Sequence, residues 1–218
     1  MRAMILAAGL GNRMRPLTDF LPKPLLEVKG KALIVWHLEK LARNGFKDVV
    51  INIAHLGYKI PEYLGDGSKY GLNISYSDEQ ECGALESAGG IKKALPLLGD
   101  EPFLVVNGDV YCDYEFDVSF ELKGKKAHLI LVSNPPHNTG GDFGLQDGLV
   151  LNHDDEIFTF SGIGYYHPSF FAGVALQKSA LAPLLREGID KKEISGEVFK
   201  NMWHDIGTPQ RLKEINND

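Results

Sequence analysis

Residues 4–16 read Met4-Ile5-Leu6-Ala7-Ala8-Gly9-Leu10-Gly11-Asn12-Arg13-Met14-Arg15-Pro16. The stretch starts as a short apolar run, as in a central parallel strand that helices cover on both faces. It then passes into small residues and glycines, which let the backbone approach a phosphate or a base closely. Arg13 and Arg15 follow this turn. The stretch therefore predicts an α/β protein with an anion site at the end of its first strand, the alternative being a glycine turn with only a structural role.

Two common phosphate-binding motifs do not fit this loop. Met14 stands where the G-x-G-x-x-G motif of dinucleotide-binding proteins has its third glycine, and the Lys-Ser/Thr pair of a P-loop is missing. Pro16, Pro22 and Pro24 would also interrupt the helix that follows a dinucleotide-binding loop. A Rossmann oxidoreductase and a P-loop hydrolase are therefore disfavoured.

Short β-rich runs alternate with helical patterns after this loop. Strands are predicted at residues 3–7, 48–53, 73–77, 103–107 and 129–132, and helices at residues 33–44 and 87–95. The alternation predicts a Rossmann-like three-layer α/β/α architecture with a mainly parallel sheet and a ligand site at the carboxyl ends of the strands. A loop rich in proline and glycine at residues 134–141 precedes alternating segments at 143–151 and 156–166, which predict a small antiparallel β insertion.

Length, charge and cysteine content limit the class of protein. The 218 residues contain no repeat or linker, so we expect one domain over residues 1–218. A formal net charge of -6 argues against a nucleic-acid partner, because binders of the phosphate backbone carry an excess of Lys and Arg. Cys82 and Cys112 do not form a disulfide framework, and no apolar stretch is long enough to span a membrane. We expect a cytoplasmic protein with no evident protein partner.

Two further motifs carry charged side chains beside restricted backbone. In Pro22-Lys23-Pro24-Leu25 the prolines stiffen the chain around a lysine that could point at a phosphate, or could be an exposed loop lysine. Asp109 follows an apolar strand and Asn107-Gly108, so its carboxylate is expected at the carboxyl edge of the sheet. A hard oxygen ligand there suits Mg²⁺, although Asn-Gly-Asp is also a common turn.

Together, Leu-Ala-Ala-Gly-x-Gly-x-Arg-Met-Arg-Pro-Leu-Thr and Pro-Lys-Pro-Leu, over residues 6–25, resemble the signature of the sugar-phosphate nucleotidyltransferase family. The resemblance continues at residues 85–90, 107–109, 160–163 and 203–208 and covers nearly the whole chain. It implies the nucleotide-diphospho-sugar transferase fold, with a nucleotide-binding part at 1–110 and a sugar-binding part at 111–218. It also implies that a nucleoside monophosphate passes from an NTP to a sugar 1-phosphate while pyrophosphate leaves.

The resemblance also implies roles for single residues. Arg15 and Lys23 would contact phosphates during transfer as catalytic residues, and Asp109 and Asp205 would hold Mg²⁺. The implied nucleotide-binding residues are Leu6, Ala7, Ala8, Gly9, Gly11, Asn12, Arg13, Met14, Lys23, Glu81, Glu86, Ser87, Gly90 and Asn107, and the implied sugar-binding residues are Asn107, Gly141, Asp142, Ser161 and Gly162.

Some of these positions also have a structural interpretation. Ser87 could cap a helix that starts after it, and Thr208 with Pro209 reads as the cap and first residue of another helix. The glycines at 141 and 162 could be bends in a β-hairpin. The base-reading residues within 78–84 are not placed by the motif, which leaves Glu81 or Gln80 as candidates.

Smaller features indicate the substrates. Glu86-Ser87 resembles the base-reading segment of the family's branch that acts on N-acetylmuramate 1-phosphate, and the Glu-Lys-Pro segment of the thymidylyl and glucose uridylyl branches has no counterpart before residues 158–162. We expect UTP and N-acetylmuramate 1-phosphate as substrates, with mannose 1-phosphate guanylyl transfer as the alternative. A catalytically silent nucleotide-sugar sensor on the same fold stays open.

Overall fold

Strands and helices alternate along the chain of the computed structural model, which describes residues 1–81 and 83–217. The strands are β1 (Arg2–Leu6), β2 (Glu27–Val28), β3 (Lys31–Ala32), β4 (Asp48–Ile53), β5 (Asn73–Asp78), β6 (Phe103–Asn107), β7 (Val110–Cys112), β8 (Ala127–Val132), β9 (Phe143–Gln146), β10 (Leu149–Leu151), β11 (Ile157–Tyr166), β12 (Ile194–Phe199) and β13 (Trp203–Asp205). The α-helices are α1 (Leu33–Arg43), α2 (Lys59–Leu64), α3 (Glu86–Leu98), α4 (Leu181–Asp190) and α5 (Pro209–Asn217). Cys112 is buried, whereas Cys82 and Asp218 lie outside the described residues.

The main sheet is mixed, with the strand order β5-β4-β1-β6-β11-β8-β12-β10-β9. Strands β5, β4, β1 and β6 are parallel to one another, as the alternation of runs predicts. From β11 onward the pairs are antiparallel, except that β12 runs parallel to β8. The predicted α/β class is therefore confirmed, and the antiparallel strands expected as a small insertion continue the main sheet.

Helices cover both faces of this sheet because its central strands are apolar on both sides. On one face, Ile34 and Leu38 of α1 belong to the same buried cluster as Ile5. On the other face, Ile91 of α3 shares a cluster with Met4. Neighbouring residues of β1 thus serve opposite layers, and fully burying each such side chain contributes about 1.5–3 kcal/mol.

A third apolar cluster fixes the glycine-rich loop onto the C-terminal part of the chain. Met14 from the loop, only 1% exposed, packs in it with Leu33 of α1, Ile206 after β13 and Ile215 of α5. The loop after β1 and the segment after β13 therefore share one small core, which holds both beside the carboxyl end of the sheet.

Two predicted helix caps have different outcomes. Helix α5 begins at Pro209, and the amide of Arg211 donates to Oγ1 of Thr208 at 3.3 Å, so that cap is confirmed. The prediction that Ser87 caps α3 is wrong, because the helix already begins at Glu86 without a side-chain cap. The Ser179 carbonyl accepts from the amides of Ala88 and Gly89 instead, at 3.0 and 3.1 Å. A distant loop thus satisfies donors that a local cap would otherwise satisfy.

No helix among the described residues is both long and apolar enough to cross a membrane.

Candidate active site

A cleft of about 740 Å³ opens at the carboxyl ends of β1 and β6. These strands are parallel and in register, with Leu6 opposite Asn107, so the glycine-rich loop and the Asn107-Gly108-Asp109 turn leave the sheet side by side. The sequence-predicted residues that line the cleft are Leu6, Ala7, Ala8, Gly9, Gly11, Asn12, Arg13, Met14, Lys23, Glu86, Ser87, Asn107 and Asp109. The fold therefore brings together motifs that are about a hundred residues apart.

The glycine-rich loop is held in one shape by Gly11 and Thr18. Gly11 has a φ of 65°, and a Cβ on it would lie 2.8 Å from Cγ2 of Thr18, so a side chain there would be both strained and crowded. The Thr18 hydroxyl donates to the Gly11 carbonyl at 2.8 Å. Gly9 has open space where its side chain would be. The loop consequently offers a fixed, uncovered stretch of backbone to a ligand.

A buried polar network below the loop was not found from the sequence. Oδ1 of Asn52 accepts from the Ala7 amide at 2.8 Å, and its Nδ2 donates to Oε1 of Glu79 at 2.8 Å. Oε2 of the fully buried Glu79 accepts from the Leu85 amide at 2.7 Å. The available signal was a polar residue, Asn52, inside the apolar strand β4. The network ties the glycine-rich loop to the segment that precedes α3.

Gly90, predicted to bind nucleotide, lies behind the cleft against this network. A Cβ at this position would be 2.7 Å from Oε1 of Glu79 and 2.8 Å from Nδ2 of Asn52. Its lack of a side chain therefore makes room for the hydrogen bonds of Asn52 and Glu79, and Gly90 is not among the residues that line the cleft.

Lys23 and Asp109 form an ion pair at the floor of the cleft. Nζ of Lys23 lies 2.6 Å from Oδ2 of Asp109, with side chains 13% and 28% exposed. Within the described residues, Oδ1 of Asp109 makes no hydrogen bond. The structure does not bring Arg15 into this cleft: its side chain is 61% exposed and pairs with Asp19 at 3.4 Å.

Asp205 is carried next to Asp109 by a short antiparallel pair of strands. In this pair Asp205 of β13 lies opposite Val110 of β7, and the Ile206 amide donates to the Asp109 carbonyl at 2.7 Å. Nη1 of Arg211 donates to Oδ1 and Oδ2 of Asp205 at 2.6 and 2.5 Å. Asp109, in the turn directly before β7, and Asp205, on the paired strand β13, therefore each lie beside a cationic side chain.

The donors at this pair suit Mg²⁺ better than a metal that needs a complete protein cage. Among the described residues no group of three or more His, Cys, Asp or Glu side chains could hold a metal ion. Mg²⁺ usually binds one or two carboxylates and completes its shell with water and substrate phosphates. Asp109 supplies such hard oxygens in the cleft, and Asp205 supplies them just outside the cleft lining, so the residues fit the ion that the family resemblance implies.

The predicted sugar-binding residues meet at an irregularity of β11. The register of β11 against β8 shifts between Phe160 and Ile163. Ser161 is 1% exposed, and its hydroxyl donates to the Ile130 carbonyl at 2.6 Å. Gly162 has a φ of 78°, and a Cβ on it would be 2.5 Å from Nδ2 of Asn107. The bulge thus sets Gly162 directly against a residue of the cleft while the Ser161 side chain is used inside the sheet.

Several predicted residues lie outside the cleft lining, namely Asp205, Ser161, Gly162, Gly141, Asp142 and Glu81. Oδ2 of Asp142 accepts from the Phe160 amide at 2.8 Å, and Gly141 has a φ of 62° with Asn134 and Ile157 crowded against its α-carbon. Asp142 therefore fastens this segment to β11, whereas Gly141 occupies a turn that has no room for a side chain. Glu81 is exposed in the turn that follows β5.

Lys178 also lines the cleft, although no motif indicates a role for it. Its Nζ lies 3.4 Å from Oε1 of Glu86, with side chains 70% and 43% exposed. The lysine comes from the loop before α4, which meets α3 only in the folded chain. It adds a positive charge beside the segment expected to read the base.

Comparison with known proteins identifies the family of this chain. The family model described as nucleotidyl transferase matches residues 2–160. The chain belongs to the nucleotidyl transferase family, and the predicted family resemblance is confirmed. It is 53% identical to the N-acetylmuramate alpha-1-phosphate uridylyltransferase of Neisseria meningitidis serogroup B, over 98% of this chain and 96% of that protein.

More distant relatives include an enzyme of the same description and one described as acting on a different sugar phosphate. The enzyme of the same description from Caulobacter vibrioides is 34% identical over 95% of this chain and 92% of its own length. A mannose-1-phosphate guanyltransferase from Hypocrea jecorina is 41% identical over 96% of this chain, which spans 62% of that protein. A solved Bacillus anthracis structure, described as a glucose-1-phosphate thymidylyltransferase, superposes with a TM-score of 0.84 at 21% identity, covering 100% of this chain and 94% of the other. This last likeness bears on the fold alone.

Proposed function

We propose that this protein transfers UMP from UTP to N-acetylmuramate 1-phosphate, giving UDP-N-acetylmuramate and pyrophosphate. The observation that carries the proposal is the 53% identity to an enzyme of that activity over nearly the full length of both chains. The longer mannose-1-phosphate relatives share the fold, but this chain spans only 62% of the Hypocrea protein. Such an enzyme would serve the recycling of cell-wall sugars in the cytoplasm.

The reaction joins two polyanions, so the chain must position them and reduce their repulsion. An oxygen of the sugar 1-phosphate forms a bond to the α-phosphorus of UTP, the bond to the β-phosphate oxygen breaks, and pyrophosphate leaves with that electron pair. The attacking phosphate is already ionised at neutral pH, so no general base is needed. Catalysis then rests on orientation and on charge stabilisation in the transition state.

Different residues of the cleft bind the nucleotide, the transferred phosphate and the sugar. The uncovered backbone of the glycine-rich loop binds the UTP phosphates, Lys23 lies where the transferred phosphate would pass, and Glu86 and Ser87 face the base. Asn107, with Gly162 packed against it, positions the sugar. When bound, Mg²⁺ held by Asp109 and Asp205 would neutralise phosphate charge.

A grid of NTPs and sugar 1-phosphates tests the proposal through pyrophosphate release. Each nucleotide is paired with the N-acetylmuramate, N-acetylglucosamine, mannose and glucose 1-phosphates, with Mg²⁺ or with a chelator. We expect release with UTP and N-acetylmuramate 1-phosphate, and loss of release with the chelator. An Asp109→Asn variant, which keeps the side-chain size but removes the charge, serves as the blank for contaminating enzymes.

Other results of the grid contradict the proposal in distinct ways. Release with GTP and mannose 1-phosphate keeps the reaction type and replaces the substrates. Silence across the grid, together with measurable NTP binding, favours the nucleotide-sugar sensor. Pyrophosphate release that is unchanged by the chelator contradicts a role for Mg²⁺.

A further inference from the structure

A second cavity, of about 660 Å³, lies beyond Asp205 from the nucleotide cleft. Its wall includes His137 from the loop after β8, Trp203 and Asp205 from β13, and Arg211 from α5. The Trp203 ring is held in place because its Nε1 donates to the Ser161 carbonyl at 3.0 Å. The cavity therefore combines a fixed aromatic surface with a guanidinium group, and of the residues in its wall the mechanism above uses only Asp205.

One edge of the Arg211 guanidinium group makes no hydrogen bond to any residue that the structure describes. Its side chain is 19% exposed, and all of its side-chain hydrogen bonds within the described residues run through Nη1, to Asp205 and to Nε2 of His137 at 2.7 Å. Nε and Nη2 make none. A guanidinium held by one nitrogen is immobilised, yet it can still bind a carboxylate with its Nε–Nη2 edge.

The position of Arg211 links the second cavity to the reaction site. Nη2 lies so close to the Gly207 α-carbon that a Cβ there would collide with it. Gly207 itself lines the nucleotide cleft, next to Gly108 and Asp109. An acceptor whose phosphate lies at Asp109 can therefore extend its sugar past Gly207 toward Arg211.

The proposed acceptor carries a second anionic group that requires a receptor. N-acetylmuramate differs from N-acetylglucosamine by a lactyl ether that ends in a carboxylate. The lysines of the nucleotide cleft, Lys23 and Lys178, are paired with Asp109 and Glu86 and flank the nucleotide side. Arginine is well suited to this task, because its planar fork matches a carboxylate in a bidentate manner and an ammonium does not.

We propose that the Nε–Nη2 edge of Arg211 binds the lactyl carboxylate of the acceptor and so selects N-acetylmuramate 1-phosphate over N-acetylglucosamine 1-phosphate. This assignment rests on the proposed function. Asp205 and His137 hold the guanidinium in place through Nη1, and Gly207 leaves room for it. Arg211 is thereby a specificity residue of the same reaction, acting at the far end of the acceptor from the transferred phosphate.

Steady-state kinetics with three acceptors test this role. The acceptors are N-acetylmuramate 1-phosphate, its lactyl methylamide, which keeps the shape and loses the charge, and N-acetylglucosamine 1-phosphate. For Arg211→Gln we expect kcat/KM to fall about 100-fold with the charged acceptor, chiefly through KM, because a hydrogen bond to a charged group is lost. The two neutral acceptors should fall by only about 10-fold, because they lose the support that Arg211 gives Asp205 but no contact to a carboxylate.

Two further variants complete the design. Arg211→Lys keeps the positive charge without the fork and should recover about 10-fold of the loss with the charged acceptor. It also serves if Arg211→Gln folds poorly, which circular dichroism would reveal. Lys213→Gln removes one charge from an exposed position of the same helix and should leave all three acceptors unchanged.

The outcomes separate this role from the proposed function. A wild-type enzyme that ignores N-acetylmuramate 1-phosphate overturns the proposed function and the role of Arg211 with it. A wild-type enzyme that uses this acceptor, combined with equal losses on all three acceptors in Arg211→Gln, overturns only the role of Arg211. In that case the guanidinium would merely support Asp205, and the affinity for Mn²⁺ as a probe ion, measured by electron paramagnetic resonance, would fall in parallel.

Discussion

Lys23 illustrates how a single residue acquires its environment from two distant motifs. The flanking prolines fix the backbone near the lysine, but its partner Asp109 arrives from the end of β6, 86 residues later. The resulting pair is largely shielded from water, with Lys23 only 13% exposed. A cation in such a place interacts more strongly with a phosphate than a surface lysine does, because the local dielectric constant is lower.

Replacing Lys23 should therefore reduce turnover strongly. For Lys23→Met we expect kcat to fall by about 10²–10³-fold, since one preorganised positive charge at the transferred phosphate is lost. Pyrophosphate release at saturating substrates measures this. Lys47→Met, at an exposed position, is the matched control, and equal turnover in the two variants would contradict a role in transfer.

Replacing Asn52 should lower the stability of the protein, because Asn52 bonds to residues on both sides of the cleft. Asn52→Ala leaves the Ala7 amide and one oxygen of Glu79 without partners in a buried site, and each unsatisfied group costs about 1–3 kcal/mol. The free energy of unfolding, measured with urea, should fall accordingly. Asn73→Ala removes an exposed hydrogen bond to Asp48 and should change stability by less than about 0.5 kcal/mol. If both variants are equally stable, the network does not support the loop.

At the scale of an element, strand β11 shows why an irregular sheet position carries function. The bulge between Phe160 and Ile163 turns Gly162 into the left-handed region and sets it against Asn107. A regular strand would alternate its side chains evenly and could not bring a backbone this close to a neighbouring strand's side chain.

A side chain at position 162 should both strain the backbone, because φ is positive there, and collide with Asn107. Gly162→Ala is expected to destabilise the protein by about 1–3 kcal/mol and to raise KM for the sugar 1-phosphate, because Asn107 must move. Gly30→Ala is a sharp control, since Gly30 has a similar φ of 76° but open space around its α-carbon. It should cost stability without changing KM, and an unchanged KM in both variants would detach Gly162 from sugar positioning.

At the scale of the whole molecule, two buried histidines make the folding stability sensitive to acid. Burial, reinforced by Lys40, lowers the pKa of His37 to about 4, with Asp109 and a bond to Val110 acting weakly in the opposite direction. Burial also lowers the pKa of His128. Their Nε2 atoms are buried and have no hydrogen-bond partner within residues 1–81 and 83–217. Both rings are consequently neutral in the folded protein near neutral pH.

Stability should therefore fall as the pH drops below the ordinary histidine value of about 6.5. Between that value and about 4 the unfolded chain binds a proton at position 37 that the folded chain does not, which lowers the free energy of unfolding by up to about 3 kcal/mol. Below about 4 this contribution levels off. The free energy of unfolding, measured with urea from pH 7.5 to 4.5, should change less with pH for His37→Leu than for the wild type. His153→Leu, at an exposed position, should keep the wild-type slope.

Much of the candidate site followed from short stretches of sequence. Local composition indicates the glycine-rich loop, Asn107 and Asp109, which follow apolar runs, and Lys23, which lies between two prolines. The parallel order of β1 and β6 then places them together. The family resemblance added the roles. The predicted strands and helices were accessible in the same way, because side-chain periodicity and glycine or proline punctuation are properties of a segment by itself. Elements without such a pattern, among them α2, α4, β7 and β12, were not predicted.

Contacts between segments were decided only by the tertiary structure. The sequence could not show that Arg15 points outward to Asp19, that Ser179 caps α3, that Asn52 and Glu79 share a network, or that Arg211 holds Asp205. Except for the local Arg15–Asp19 pair, each of these contacts joins two segments that strand order and loop path bring together. The physical reason is that propensity and pattern act over a few residues, whereas the partner of a buried polar group depends on which distant surface the folded chain packs against it.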